Sequence, residues 1–85
     1  MRLPLINHIT NFIEDKDEDF VLEAIETLEN LTEASSLKEE ELDVIGELIS
    51  NMYGAIEVNK SVANGVPKKK AVNDFMKRVL GSIDT

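Results

Sequence analysis

The chain has 85 residues, of which 42% are hydrophobic and 31% charged, with a net charge of −8. This length predicts one domain over residues 1–85, and the absence of cysteine excludes disulfides, thiolate metal sites and thiol nucleophiles. Residues 1–57 carry 15 acidic and 3 basic side chains, whereas residues 58–85 carry 2 and 6. Such an acidic body repels nucleic acid and favours basic partners.

The first predicted helix covers residues 4–14. Pro4 suits the first helical position, where a backbone amide would lack a helical partner anyway. Polar residues interrupt the apolar ones, so we expect neither a targeting segment nor a membrane span and predict a cytoplasmic protein. His8 lies at the edge of the apolar side and is interpreted as a structural residue, not a metal ligand. The apolar side is formed by Leu5, Ile6, Ile9, Phe12 and Ile13.

The second predicted helix covers residues 17–34, with glutamates opposite its apolar side. Its start has the carboxylate spacing of an EF-hand calcium loop. Phe20, however, occupies the position where that loop needs glycine. We therefore interpret the acidic residues as helix N-terminal residues that favour the helix dipole. The apolar side is formed by Phe20, Val21, Ala24, Ile25, Leu28 and Leu31.

The third predicted helix covers residues 37–63. Ser36 and Glu39 have the spacing of a capping box, in which each side chain pairs with the backbone amide of the other residue. Asn64 and Gly65 supply the left-handed backbone turn that ends many helices. The sequence therefore predicts a third helix of about 27 residues, much longer than its neighbours.

Ser36 and Leu37 also resemble the serine-leucine pair of acyl carrier proteins, which are small, acidic and four-helical. Carrier proteins have aspartate before that serine, whereas this chain has Ser35. Glu40 and Gly46 occupy positions where carriers have branched apolar residues. We interpret Ser36 as a helix cap, and a carrier protein modified at Ser36 is retained as an alternative function.

The third helix places small residues at four-residue intervals, although each glycine disfavours a helix by about 1 kcal/mol relative to alanine. Its apolar residues span about half of the circumference, more than the ~100° stripe that one packing surface requires. We therefore expect a second contact surface, made by another helix of this chain or by a second chain. Gly46, beside Ser50 and Tyr53, is predicted to admit a second copy, while Gly54 lies among polar neighbours and permits a bend.

The fourth predicted helix covers residues 67–83 and is basic. Its first turn carries three lysines, at the end where the helix dipole disfavours positive charge. Lys70, Lys77 and Arg78 share the solvent side with Asp74 and form a candidate interaction surface toward acidic helices of this or another chain. Nucleic acid is a further alternative partner, but no aromatic stacking residues accompany the lysines.

The blocks EELDVIGELISNMYGAIEV and PKKKAVNDFMKRVLGSI resemble an uncharacterised family of small all-helical proteins from Bacteroidetes-type bacteria. The resemblance implies a shared helical fold, no known activity and no assigned catalytic residues. It also implies a candidate partner, because genes of the family lie beside genes for thioredoxin-like and peroxide-reducing proteins.

The expected architecture is an all-α, antiparallel four-helix arrangement around the long third helix, completed by dimerisation. The chain carries no G-x-S-x-G turn, Gly-rich phosphate loop or H-E-x-x-H motif. We therefore expect no enzymatic activity and no cofactor. The predicted function is a protein-protein interaction or regulatory module that forms a homodimer and does not enter membranes.

Overall fold

A computed structural model describes the backbone of residues 2–84 and the side chains of residues 2–79. The described chain is all-α, without strands, which confirms the predicted fold class. The predicted helix bounds differ from the observed ones by up to three residues. The four helices are α1 Leu3–Asp15, α2 Glu18–Leu31, α3 Glu39–Ala63 and α4 Lys68–Asp84.

The long helix α3 is the spine of the fold. Its 25 residues span about 37 Å at 1.5 Å per residue, and α1, α2 and α4 all pack on it. Helix α1 also contacts both α2 and α4, whereas α2 and α4 do not contact each other within the described residues. The result is a flat molecule, 43 × 35 × 17 Å.

The core draws apolar residues from all four helices. Full burial of an aliphatic or aromatic side chain contributes about 1.5–3 kcal/mol, so these residues are the main source of stability. The wide apolar arc of α3 is used within the chain, because three helices pack around it. The buried core residues are Ile6, Ile13, Val21, Ile25, Ala55, Ile56, Val58, Ala71, Val72 and Phe75.

Gly54 is the closest point of packing between α3 and its neighbours. A Cβ atom on Gly54 would lie 3.0 Å from two ring atoms of Phe75 and 3.4 Å from Cδ1 of Ile6. The prediction that Gly54 lies among polar neighbours is therefore wrong, whereas a bend at this glycine stays a prediction. The buried arc of α3 extends past its apolar residues to include Gly54 and Asn51, which the hydrophobic pattern does not mark.

Helix α3 begins later than predicted. Its N-cap residue is Lys38, and the Glu41 carboxylate accepts a hydrogen bond of 2.9 Å from the Lys38 backbone amide. Ser36 lies exposed in the preceding turn, so its predicted role in the capping box is wrong. A glutamate carboxylate still accepts a hydrogen bond from the N-cap amide, but the pair is Lys38 and Glu41, two residues further along the chain than predicted.

The start of α2 and the end of α3 follow the sequence interpretation. Asp17 is the N-cap of α2, and its side chain accepts a hydrogen bond of 3.1 Å from the Asp19 amide. At the end of α3, Gly65 has a φ of 98°. The Val66 amide there donates to the Ser61 carbonyl, which satisfies an end carbonyl of the helix.

The observed cap Asp17 and the predicted cap Ser36 are expected to differ in their contribution to stability. We expect Asp17→Ala to lower the free energy of unfolding by about 1 kcal/mol, because an amide at the start of α2 loses its partner. Ser36→Ala should change it by less than about 0.5 kcal/mol, as for an exposed surface position. Urea unfolding followed by circular dichroism measures both, and a larger loss for Ser36→Ala would contradict the observed cap assignment.

Candidate functional site

Three of the four predicted interaction residues of α3 lie on its outer side. Gly46 is exposed, and a Cβ atom there would meet no other atom within 4 Å. Ser50 is half-buried, and Tyr53 is 48% exposed with its hydroxyl 3.5 Å from the carboxylate oxygens of Glu29 on α2. Gly46, Ser50 and Tyr53 therefore share a mainly polar strip, while Gly54 points to the core.

The predicted interaction residues of α4 are largely engaged with acidic side chains of the same chain. Lys70 pairs with Asp74 within the helix at 2.8 Å. Arg78 pairs with Glu57 of α3, and its guanidinium carbon lies 5.6 Å from the centre of the Phe75 ring. Lys77 is exposed on the same helix. The expected pairing with an acidic helix is thus present for Arg78, whereas Lys70 forms a pair four residues along its own helix.

A more prominent feature is an apolar cleft between α1 and α2, which we call the α1–α2 cleft. A short connection joins α1 to α2, and one side chain of α3 completes the lining. The cleft has a volume of about 300 Å³. It is lined by His8, Ile9 and Phe12 of α1, Phe20, Val21 and Ala24 of α2, and Met52 of α3.

Two aromatic rings stand at the mouth of this cleft. Phe12 is 42% exposed and Phe20 is 58% exposed. Their ring centres are 6.1 Å apart with an interplanar angle of 78°, an edge-to-face contact. The apolar pattern of each helix predicts both residues in the core, but their contact joins α1 to α2 while half of each ring remains in solvent.

A second apolar cavity continues along α2 toward the start of α3. It has a volume of about 450 Å³ and is lined by Leu31, Leu37, Glu40, Glu41, Val44 and Ile45. Val44, near the start of α3, is 59% exposed. Phe20, Ala24 and Leu31 occupy one flank of α2, so the two cavities follow the same helix over about 16 Å.

The polar residue at the centre of the fold is Asn51, which is fully buried. Its side-chain oxygen accepts a hydrogen bond of 2.9 Å from the Arg2 amide, and its nitrogen donates to the Glu47 carbonyl at 2.7 Å. The side-chain hydrogen bond from Asn51, aided by the charge of Arg2, lowers the pKa of Glu47 below its ordinary value of 4.5. These bonds fix the start of α1 on α3.

The described residues contain no group of three or more histidine or acidic side chains placed to hold a metal ion. His8, interpreted as structural, lies exposed at the wall of the α1–α2 cleft. No described helix is both long enough and apolar enough to cross a membrane.

The fold and surface define a small all-α protein with an exposed apolar cleft. The model of a family of unknown function, DUF6952, matches residues 1–84, and the chain belongs to this family. No curated protein and no solved structure shows significant similarity to the chain. The predicted resemblance to an uncharacterised family is confirmed.

Sequence reasoning missed the cleft although it named the residues that form it. Phe12 and Phe20 fit the helical apolar pattern, which does not distinguish the centre of a buried side from its edge. One signal was available: both residues lie next to the short connection between α1 and α2, where a large ring has fewer neighbours to cover it.

Proposed function

We propose that this protein is a non-catalytic interaction module that binds an amphipathic helix of another protein in the α1–α2 cleft. The observation that carries the proposal is the pair of half-exposed rings, Phe12 and Phe20, above an apolar cavity. Grooves of this kind bind helices through apolar anchors spaced three, four and seven residues apart.

The exposed aromatic area is large enough to matter energetically. Full burial of a phenylalanine contributes up to about 3 kcal/mol, so covering the exposed half of each ring would contribute about 1 kcal/mol. The polar strip around Gly46 offers no comparable apolar area. The cleft is thus the surface whose burial by a partner would be most favourable.

The other expectations from the sequence remain predictions. Open space at Gly46 is compatible with a second copy there, and the thioredoxin-like partner and the bacterial group rest on the resemblance. Modification at Ser36 would appear as a mass increase after incubation with coenzyme A and a phosphopantetheinyl transferase. Nucleic-acid binding by α4 would appear as retention at low salt that weakens as salt is added.

The proposal is tested with a labelled 18-residue peptide that forms an amphipathic helix with leucine on one side and glutamine on the other. Fluorescence anisotropy should show saturable binding. The double variant Phe12→Ser/Phe20→Ser should bind at least tenfold more weakly, because about 2 kcal/mol of apolar contact, about 1 kcal/mol from each ring, is lost.

Leu22→Ser is the matched control, since Leu22 is also exposed on α2 but on the opposite flank from Phe20. It should bind the peptide within about twofold of the unchanged protein, a difference too small for a lost apolar anchor. Circular dichroism confirms that each variant is helical. Equal weakening in the control and the double variant, or binding that is unchanged in the double variant, would refute the cleft as the binding surface.

A further inference from the structure

The edges of the α1–α2 cleft and of the cavity that continues it are acidic. Residues 15–41 carry 11 acidic and 2 basic side chains, Lys16 and Lys38. Asp19 and Glu23 lie beside Phe20 on the exposed surface of α2, and Glu40 and Glu41 line the second cavity. The apolar surface is therefore bordered by negative charge along its length.

The carboxylates at this edge are among those that have no basic partner in the described part of the chain. Glu14, Glu57 and Asp74 each form an ion pair with a basic residue of α4. By contrast, Asp19 and Glu23 form no ion pair within the described part of the chain. The basic residues of α4 thus neutralise acidic side chains of α1, α3 and α4. The edge of the cleft on α2 keeps its negative charge.

From this arrangement we infer that the cleft selects a basic partner, an amphipathic helix whose lysine or arginine side chains flank its apolar face. The inference rests on the proposed function and adds the charge of the partner. Opposite charges at an interface speed association and disfavour wrong partners. A run of about 16 Å along α2 accommodates about three helical turns.

A second copy of this chain does not have the required surface. A two-fold contact across the cleft would bring the same acidic residues of both copies together, which is unfavourable. The basic helix α4 cannot serve as the occupant in another copy, because Ala71, Val72 and Phe75, which form its apolar side, are already buried in the core. The partner is therefore a different protein.

The experiment compares three labelled peptides with the same leucine face and with lysine, glutamine or glutamate on the remaining positions. At 20 mM NaCl the lysine peptide should bind at least tenfold more tightly than the glutamate peptide. At 300 mM NaCl the difference should fall to less than about threefold, because salt screens exposed charges.

Two double variants test which carboxylates cause the preference for the lysine peptide. Glu23→Gln/Glu40→Gln should reduce the preference for the lysine peptide by at least threefold. Glu29→Gln/Asp43→Asn removes the same charge from α2 and α3 and should leave the preference nearly unchanged, because Glu29 lies half a turn around α2 from Phe20 and neither residue lines the cleft or the second cavity.

The outcomes separate this inference from the proposed function. If all three peptides bind equally at both salt concentrations, the charge preference is overturned and the helix-binding function stands. If none binds, the proposed function fails, and the inference fails with it. A dimer in sedimentation equilibrium that Phe20→Ser dissociates would overturn the inference, because a second copy would then occupy the cleft.

Discussion

Gly54→Leu is expected to lower the free energy of unfolding by about 3 kcal/mol, as for a side chain forced into a filled core. Even a Cβ atom at this position would crowd two ring atoms of Phe75 at 3.0 Å and Ile6 at 3.4 Å. Both neighbours are buried, so a larger side chain at this position must displace core residues. Urea unfolding followed by circular dichroism measures the change.

Gly46→Leu is the matched control on the same helix. A side chain at Gly46 meets no atom of the chain within 4 Å, so the folded state accommodates it. Leucine favours a helix over glycine, and we expect the variant to be more stable by about 0.5–1 kcal/mol. Similar destabilisation in both variants would contradict the packing described for Gly54.

The same control variant also tests self-association. If a second copy packs closely at Gly46, as the sequence predicts, the larger side chain should weaken the dimer while the fold remains intact. Light scattering of the unchanged protein and of Gly46→Leu at micromolar concentration distinguishes a lost dimer from a destabilised subunit. A dimer of unchanged affinity would remove Gly46 from the contact.

Asn51→Asp is expected to destabilise the fold by about 3 kcal/mol or more at pH 7, because it places an unpaired charge in a fully buried position. The amide nitrogen that donates to the Glu47 carbonyl would be lost. The new carboxylate would also face the Glu47 carboxylate, whose oxygen lies 3.3 Å from that nitrogen. Thermal and urea unfolding measure the loss.

The pH dependence of this variant has a definite sign. Burial and the nearby Glu47 carboxylate raise the pKa of the introduced carboxyl in the folded state above its ordinary value of about 3.9. The penalty is therefore complete above the folded-state pKa and disappears as pH falls toward 3.9, where both states are protonated. The loss in the free energy of unfolding relative to the unchanged protein should therefore be smaller at pH 4 than at pH 7.

In the unchanged protein, the ionised form of Glu47 stabilises the fold, unlike the carboxylate introduced at position 51. Its pKa is lowered, chiefly by the hydrogen bond from Asn51, so its stabilisation is present above pH 4.5 and is lost as pH falls through the folded-state pKa.

Asn73→Asp, at an exposed position of α4, is the charge control for Asn51→Asp. A loss of similar size in that control would show that net charge, and not burial, causes the effect.

Apolar periodicity and helix punctuation determined much of this fold in advance. The acidic start of α2 at Asp17 and the left-handed turn at Gly65 are local features, whose hydrogen bonds join residues close in the chain. Such features depend on neighbouring residues, so the sequence specifies them directly. Four helices, a long third helix and short connections are the part of this protein that the sequence by itself determined.

Tertiary packing decided which residues are buried between the helices and which remain exposed. The pattern does not reveal that Gly54 meets Phe75 or that Asn51 holds the start of α1, because both contacts join residues more than 20 positions apart. It also places Phe12 and Phe20 in the core, whereas the assembled helices leave them half exposed. Burial depends on the relative positions of whole helices, and only the assembled structure sets those positions.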